Sequence, residues 1–157
     1  MEKKAMNRFP ASLPKKQFYV GIDCGVKTGF AVWNTRDKQF STIATVKIHN
    51  AMGCINELKT VYGFDFKVRI EDARLRKWIP AGKNEKEERG RREGAGSVKR
   101  DASIWEDFLT DLGIEFELVA PKNNKTKVTA DYFKKLTGWD GVTSNHARDA
   151  AMLVFGY

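Results

Sequence analysis

Three carboxylates and one imidazole sit where a fold could gather them: Asp23, Glu71, His146 and Asp149. Asp23 ends the strand-like run Phe18-Tyr-Val-Gly-Ile-Asp23, and Glu71 ends Phe66-Lys-Val-Arg-Ile-Glu71. An acid at the tip of a hydrophobic strand costs stability unless a cation meets it. His146 and Asp149 are three apart in a helical segment, so both project from one face. Mostly oxygen donors drawn from three distant segments are what a magnesium or manganese site needs. Two carboxylates about 4 Å apart repel by roughly 4 kcal/mol at an effective dielectric near 20. Either one of the acids is protonated or divalent metal offsets them. Two such ions held roughly 3.5–4 Å apart can activate a water and stabilise the leaving oxygen of a phosphodiester. Singly, each residue has an ordinary explanation. Asp23-Cys-Gly fits a turn, Glu71-Asp72 could open a charged loop, and His146 and Asp149 could be an exposed pair beside Arg148.

The elements that must position these groups follow from periodicity. Runs 18–23, 28–34 and 39–47 read as strands separated by hairpin-length breaks, hence as antiparallel neighbours. From Asn50, a plausible cap, Met52, Ile55, Leu58, Val61 and Tyr62 fall on one helical face, and Gly63 ends that helix. Residues 66–72 are then a strand reached through a helix, expected parallel to the first. Ile104, Trp105, Phe108, Leu109 and Leu112 give a helix, Glu115–Ala120 a fifth strand, and residues 124–136 a further helix. The last helix runs from about Thr143 or Ser144 to Phe155, and its Ala147, Ala150, Ala151 and Val154 suit close packing onto a sheet. The order β-β-β-α-β-α-β-α-α predicts an α/β fold with a five-stranded mixed sheet, three antiparallel strands and then parallel ones, flanked by helices.

At 157 residues the chain fits one domain, 17–157, preceded by residues 1–16, which read as a mobile basic tail. Residues 73–100 are dense in Arg, Lys, Glu and Gly, and read as an exposed, partly mobile loop or arm. No apolar run approaches the roughly 18 residues of a membrane span. The basic N-terminus lacks the apolar centre of a signal peptide, so a cytoplasmic protein with no membrane partner is expected. Cys24 and Cys54 are isolated and show no zinc-ligand spacing, which suits reduced structural thiols. A net charge of +8 favours polyanionic partners, nucleic acid first.

Val20-Gly-Ile-Asp23-x-Gly25-x-x-x-Gly29-Phe-Ala-Val resembles the first motif of RuvC-type Holliday-junction resolvases, in the RNase H-like superfamily. Ile70-Glu71 resembles their second acidic motif, and Asn145-His146-Ala-Arg-Asp149-Ala150-Ala their C-terminal motif. The first ligand of that last motif is often Asp and in some members His. Gly94-Ala-Gly-Ser-Val is similar to the start of the family's helix after the second motif. The resemblance spans residues 18–156, and its weight rests on the order and spacing of short motifs. It implies an RNase H-like fold and a metal-dependent crossover-junction endodeoxyribonuclease that acts on four-way DNA junctions as a homodimer. Carried over by position, Asp23, Glu71, His146 and Asp149 hold two Mg²⁺ or Mn²⁺ ions, with His146 open to an acid–base role instead. Lys127 falls where the family carries a lysine near the scissile phosphate. It is equally a solvated lysine at a helix start.

The cations after Glu71, namely Arg74, Arg76, Lys77, Arg89, Arg91, Arg92, Lys99 and Arg100, together with Lys122 and Lys125, are candidate DNA-binding residues, with Trp78 interleaved. Glu85, Glu87, Glu88 and Glu93 dilute that charge. The basic tail and the charged insertion depart from a compact bacterial RuvC, as in a phage-type relative. Other readings are an RNase H-like nuclease for flaps, forks or RNA–DNA hybrids, and a non-catalytic protein that binds branched DNA. An actin-like ATPase half shares the first motif, but the chain is short for two lobes.

Overall fold

The computed structural model describes residues 15–76 and 81–157. Lys77 and Trp78, and residues 1–14 of the basic tail, lie outside the described residues. Five strands, β1 (Phe18–Asp23), β2 (Lys27–Asn34), β3 (Gln39–Lys47), β4 (Phe66–Glu71) and β5 (Phe116–Val119), form one sheet in the order β3-β2-β1-β4-β5. The first three are antiparallel, and β4 and β5 run parallel to β1. This is the five-stranded mixed sheet that the order of elements predicts. Among the described residues four α-helices flank it: α1 (Ile48–Tyr62), α2 (Glu85–Asp111), α3 (Ala130–Thr137) and α4 (Asn145–Met152).

Alternation along the strands divides the core in two. Phe18, Val20 and Ile22 of β1 and Phe66, Val68 and Ile70 of β4 bury one face against Ala51 and Ile55 of α1 and Ala102, Trp105 and Leu109 of α2. The opposite face carries Ala31, Trp33, Phe133, Ala147, Ala150 and Leu153. By the same alternation Asp23 and Glu71 point to that second side, where α4 lies. Among the described residues no helix is long and apolar enough to cross a membrane.

Four expectations are corrected. The segment 85–100, expected as loop or arm, is the first half of the 27-residue helix α2. Asn84 caps it by accepting from the Glu87 N–H, and Glu85, Glu87 and Glu88 favour the positive end of its dipole. Ion pairs at i,i+4 spacing, Arg89–Glu93, Arg91–Glu87 and Arg92–Glu88, line its exposed surface. The packed half from Ala102 supplies the nucleus, so the polar half only has to propagate. Second, α1 begins at Ile48, and Asn50 lies inside it, not at its cap. Third, residues 124–129 are irregular and not helical, and α3 starts at Ala130 with Thr129 as its cap. Fourth, α4 ends at Met152, not at Phe155.

Candidate active site

Parallel pairing places Asp23 directly opposite Glu71, so two carboxylates end neighbouring strands on the same side. Helix α4 is laid over them by two glycines. A Cβ on Gly21 would lie 2.0 Å from the Ala150 carbonyl oxygen, and one on Gly29 would lie 2.0 Å from that of His146. Only bare backbone in β1 and β2 lets the helix approach so closely. Ser144 caps α4 by accepting from the Ala147 N–H at 3.0 Å. The buried Arg148 ties the helix down, donating to the carbonyls of Val128 (2.8 Å) and Thr143 (2.7 Å) and to Asn145 Oδ1.

His146 Nδ1 then sits 2.8 Å from Asp23 Oδ2. The Asp23 side chain is 15% exposed and that of His146 50%, so the imidazole forms the solvent side of the pair. Glu71 Oε2 accepts from Asn124 Nδ2 at 2.7 Å, and the same nitrogen donates to the Asp149 carbonyl oxygen at 3.1 Å. Asp149 Oδ1 accepts the main-chain N–H of Lys127 at 2.9 Å. Each acid therefore has one oxygen held by a polar partner. Among the described residues, no hydrogen bond reaches Asp23 Oδ1, Glu71 Oε1 or Asp149 Oδ2.

Burial pushes the Asp23 carboxyl above its usual range, the hydrogen bond and charge of His146 oppose this, and Asp149 adds to the rise. Burial likewise raises Glu71; Asn124 and Arg76 pull it down, while Asp23 and Asp149 push it up. Asp149 thus acts on both Asp23 and Glu71, and Asp23 on Glu71, so the acids share one electrostatic site. Burial and the surrounding acids also push the Cys24 thiol well up, which makes it an inert packing group.

This donor set suits a hard divalent cation by its chemistry: half-buried carboxylates that repel one another, each with an oxygen to spare. Among the described residues, no group of three or more His, Cys, Asp or Glu side chains is already drawn together as a metal cage. The side chains present the right donors but would have to rotate inward to share an ion.

The sequence-derived cations divide by surroundings. Arg74 is committed to Asp72, Ser103 and Glu106 in a part-buried network. Arg89, Arg91 and Arg92 pair with glutamates along α2. Arg100 lies 3.9 Å from Asp101 and stays 70% exposed. Lys122 is exposed in the turn Pro121–Asn123, and Lys125 Nζ donates to the Tyr132 hydroxyl at 2.9 Å. Arg76, Arg91 and Lys99 line a groove of about 480 Å³ that starts at Glu71 and runs past Ala73, Gly94, Ala95 and Val98. Lys127 adopts a left-handed backbone at φ 57° on the irregular segment before α3, not at a helix start. Asn124 was not visible as a site residue in the sequence. Nothing there distinguishes it from Asn123, and only its side-chain contacts reveal it.

No family model and no curated protein sequence matches the chain. Among solved structures, it is similar to RuvC of T. thermophilus in complex with a Holliday junction substrate, with a TM-score of 0.55 and 16% identity. The match covers 87% of this chain and 89% of that one. The fold is RuvC-like.

Proposed function

We propose that this chain is a divalent-metal-dependent, structure-selective DNA endonuclease that resolves four-way junctions as a homodimer. The observation that carries this reading is the shared end of β1 and β4, where Asp23 and Glu71 stand in register under a helix bearing His146 and Asp149. A pure binding protein has no use for anions facing phosphate. The RuvC-like fold, its solved neighbour bound to a Holliday junction, and the +8 charge support DNA as the partner.

Asp23, Glu71 and Asp149 would hold the metal, with His146 as a fourth donor. Bound there, Mg²⁺ or Mn²⁺ supplies an activated water for attack on the phosphodiester and stabilises charge on the leaving oxygen. The chain's own part is orientation. Asp23 fixes the His146 ring through Nδ1, which leaves Nε2 for a ligand or proton-transfer role. Lys127 steadies Asp149 through its main chain, and its ammonium offsets charge developing on the phosphate. Arg76, Arg91 and Lys99 line the groove that leads a backbone to Glu71.

A second reading is a non-catalytic protein for branched DNA, for which the net charge of +8 would serve equally well. Incubation with a synthetic four-way junction, linear duplex, flap, fork and RNA–DNA hybrid decides between them. The expected result is Mg²⁺-dependent nicking of the junction in preference to duplex, lost in Asp23→Asn. Metal-independent binding without nicking favours the second reading. Equal cutting by Asp23→Asn overturns the site.

A further inference from the structure

Asn124 lies between the two halves of the acidic site, and its contacts are hard to account for as a folding device. Nδ2 donates to Glu71 Oε2 at 2.7 Å and to the Asp149 carbonyl oxygen at 3.1 Å. Both partners are acceptors, so they dictate the amide's orientation; turning it would set Oδ1 against two oxygens. In that orientation Oδ1 is buried and has no hydrogen-bond partner among the described residues. A buried unpaired amide oxygen costs stability, which an apolar side chain of similar size would avoid. Three residues on, Lys127 takes up its left-handed backbone while its N–H holds Asp149 Oδ1 at 2.9 Å. One short irregular segment thus carries an orphaned amide oxygen and a strained non-glycine residue; Asn124 reaches Glu71 and Asp149, and Lys127 reaches Asp149. Such costs collect where geometry is required.

We infer that Asn124 is the positioning residue of the acidic site, holding the Glu71 carboxylate by one oxygen and yoking it to α4. The amide occupies Oε2, so Oε1 is left as the donor. Because the same NH₂ group grips the Asp149 main chain, the end of β4 and the helix move as one unit. The inference rests on the reading of this cluster as a divalent-metal site. Asn124 itself touches neither substrate nor metal.

The test uses the full chain and Mn²⁺ as probe. Calorimetric Mn²⁺ binding without DNA, the unfolding midpoint, and kcat and KM on a four-way junction are measured for wild type, Asn124→Ala, Asn124→Ser, Asn124→Asp and Glu71→Gln. Asn124→Ala is expected to weaken Mn²⁺ binding roughly 10–100-fold, the usual cost of losing a group that orients a ligand. Its kcat should fall with KM and the unfolding midpoint unchanged. Asn124→Ser retains one donor and should fall between alanine and wild type; it also serves if alanine does not fold. Asn124→Asp sets a carboxylate against two acceptors and should bind more weakly than alanine. Tighter binding by Asn124→Asp would make position 124 a ligand and overturn the positioning role. Wild-type affinity and kcat in Asn124→Ala, with Glu71→Gln impaired, overturn the inference and leave the metal site standing. Wild-type affinity in Glu71→Gln overturns both.

Discussion

His146 and Asp23, 123 positions apart in sequence, meet with Nδ1 2.8 Å from Oδ2 across the junction of α4 and β1. An imidazole is a softer donor than Mg²⁺ prefers, and Mn²⁺ accepts a nitrogen ligand more readily than Mg²⁺ does. His146→Asp should therefore retain nuclease activity while its ratio of Mn²⁺-supported to Mg²⁺-supported rate falls below that of wild type. Parallel rate measurements in the two metals check this. An unchanged ratio places His146 outside the coordination sphere.

Glu71 gives a prediction about stability. Its folded pKa is raised above the ordinary carboxylate value, chiefly by burial. A raised carboxyl favours the folded state at low pH, and that benefit is lost as pH climbs through the folded value. At pH 7 the ionised Glu71 therefore destabilises the metal-free fold. Glu71→Gln should melt higher than wild type at pH 7, on the order of 2 °C once partial solvent screening is allowed for. The difference should vanish near pH 4, where both are neutral. Added Mg²⁺ should raise the wild-type midpoint and leave that of Glu71→Gln nearly unmoved. Scanning calorimetry at the two pH values, with and without metal, reads all of this.

How far the sequence carried these conclusions depends on the scale of the signal. The strand run ending at Asp23 and the one ending at Glu71 were legible because alternation and helix-connected order set their pairing. The structure puts the two residues opposite each other. The His146/Asp149 face was legible from its spacing and its alanines. The first half of α2 was not, because Gly90, Gly94 and Gly96 and dense charge mask a helix that propagates from packing at Ala102 and Trp105. Over 124–136 the spacing of Val128, Tyr132 and Phe133 fits a helical period, although 124–129 is not helical. Contacts to Glu71 and Asp149 hold that segment out of a helix, and no local pattern encodes them.

The glycines of the sheet and of α2 should respond oppositely to the same substitution. A Cβ at Gly21 meets the Ala150 carbonyl at 2.0 Å, while one at Gly94 meets nothing within 4 Å. Gly21→Ala should push α4 off the sheet, cost roughly 1–3 kcal/mol, and abolish cutting by separating His146 from Asp23. Gly94→Ala should stabilise by up to about 1 kcal/mol through helix propensity alone. Denaturant unfolding of both variants checks the opposite signs. A neutral Gly21→Ala would show that α4 can ride farther from β1 than its glycine contact implies.

The groove cations can be weighed by salt. Arg76 and Lys99 line the groove next to Glu71, and no ion pair engages either among the described residues. Arg89 is paired with Glu93 on the outer surface of α2. Each phosphate neutralised contributes about 0.9 to the slope of log K against log salt on duplex arms. Replacing both Arg76 and Lys99 with Ala should lower that slope by about 2 and weaken junction binding at every salt concentration. Arg89→Ala should leave the slope close to wild type, because the glutamate it would expose on α2 already balances its charge. Fluorescence anisotropy of a labelled four-way junction across a salt series measures both. A larger slope change from Arg89 than from the groove pair would move the DNA path from the groove to the outer face of α2.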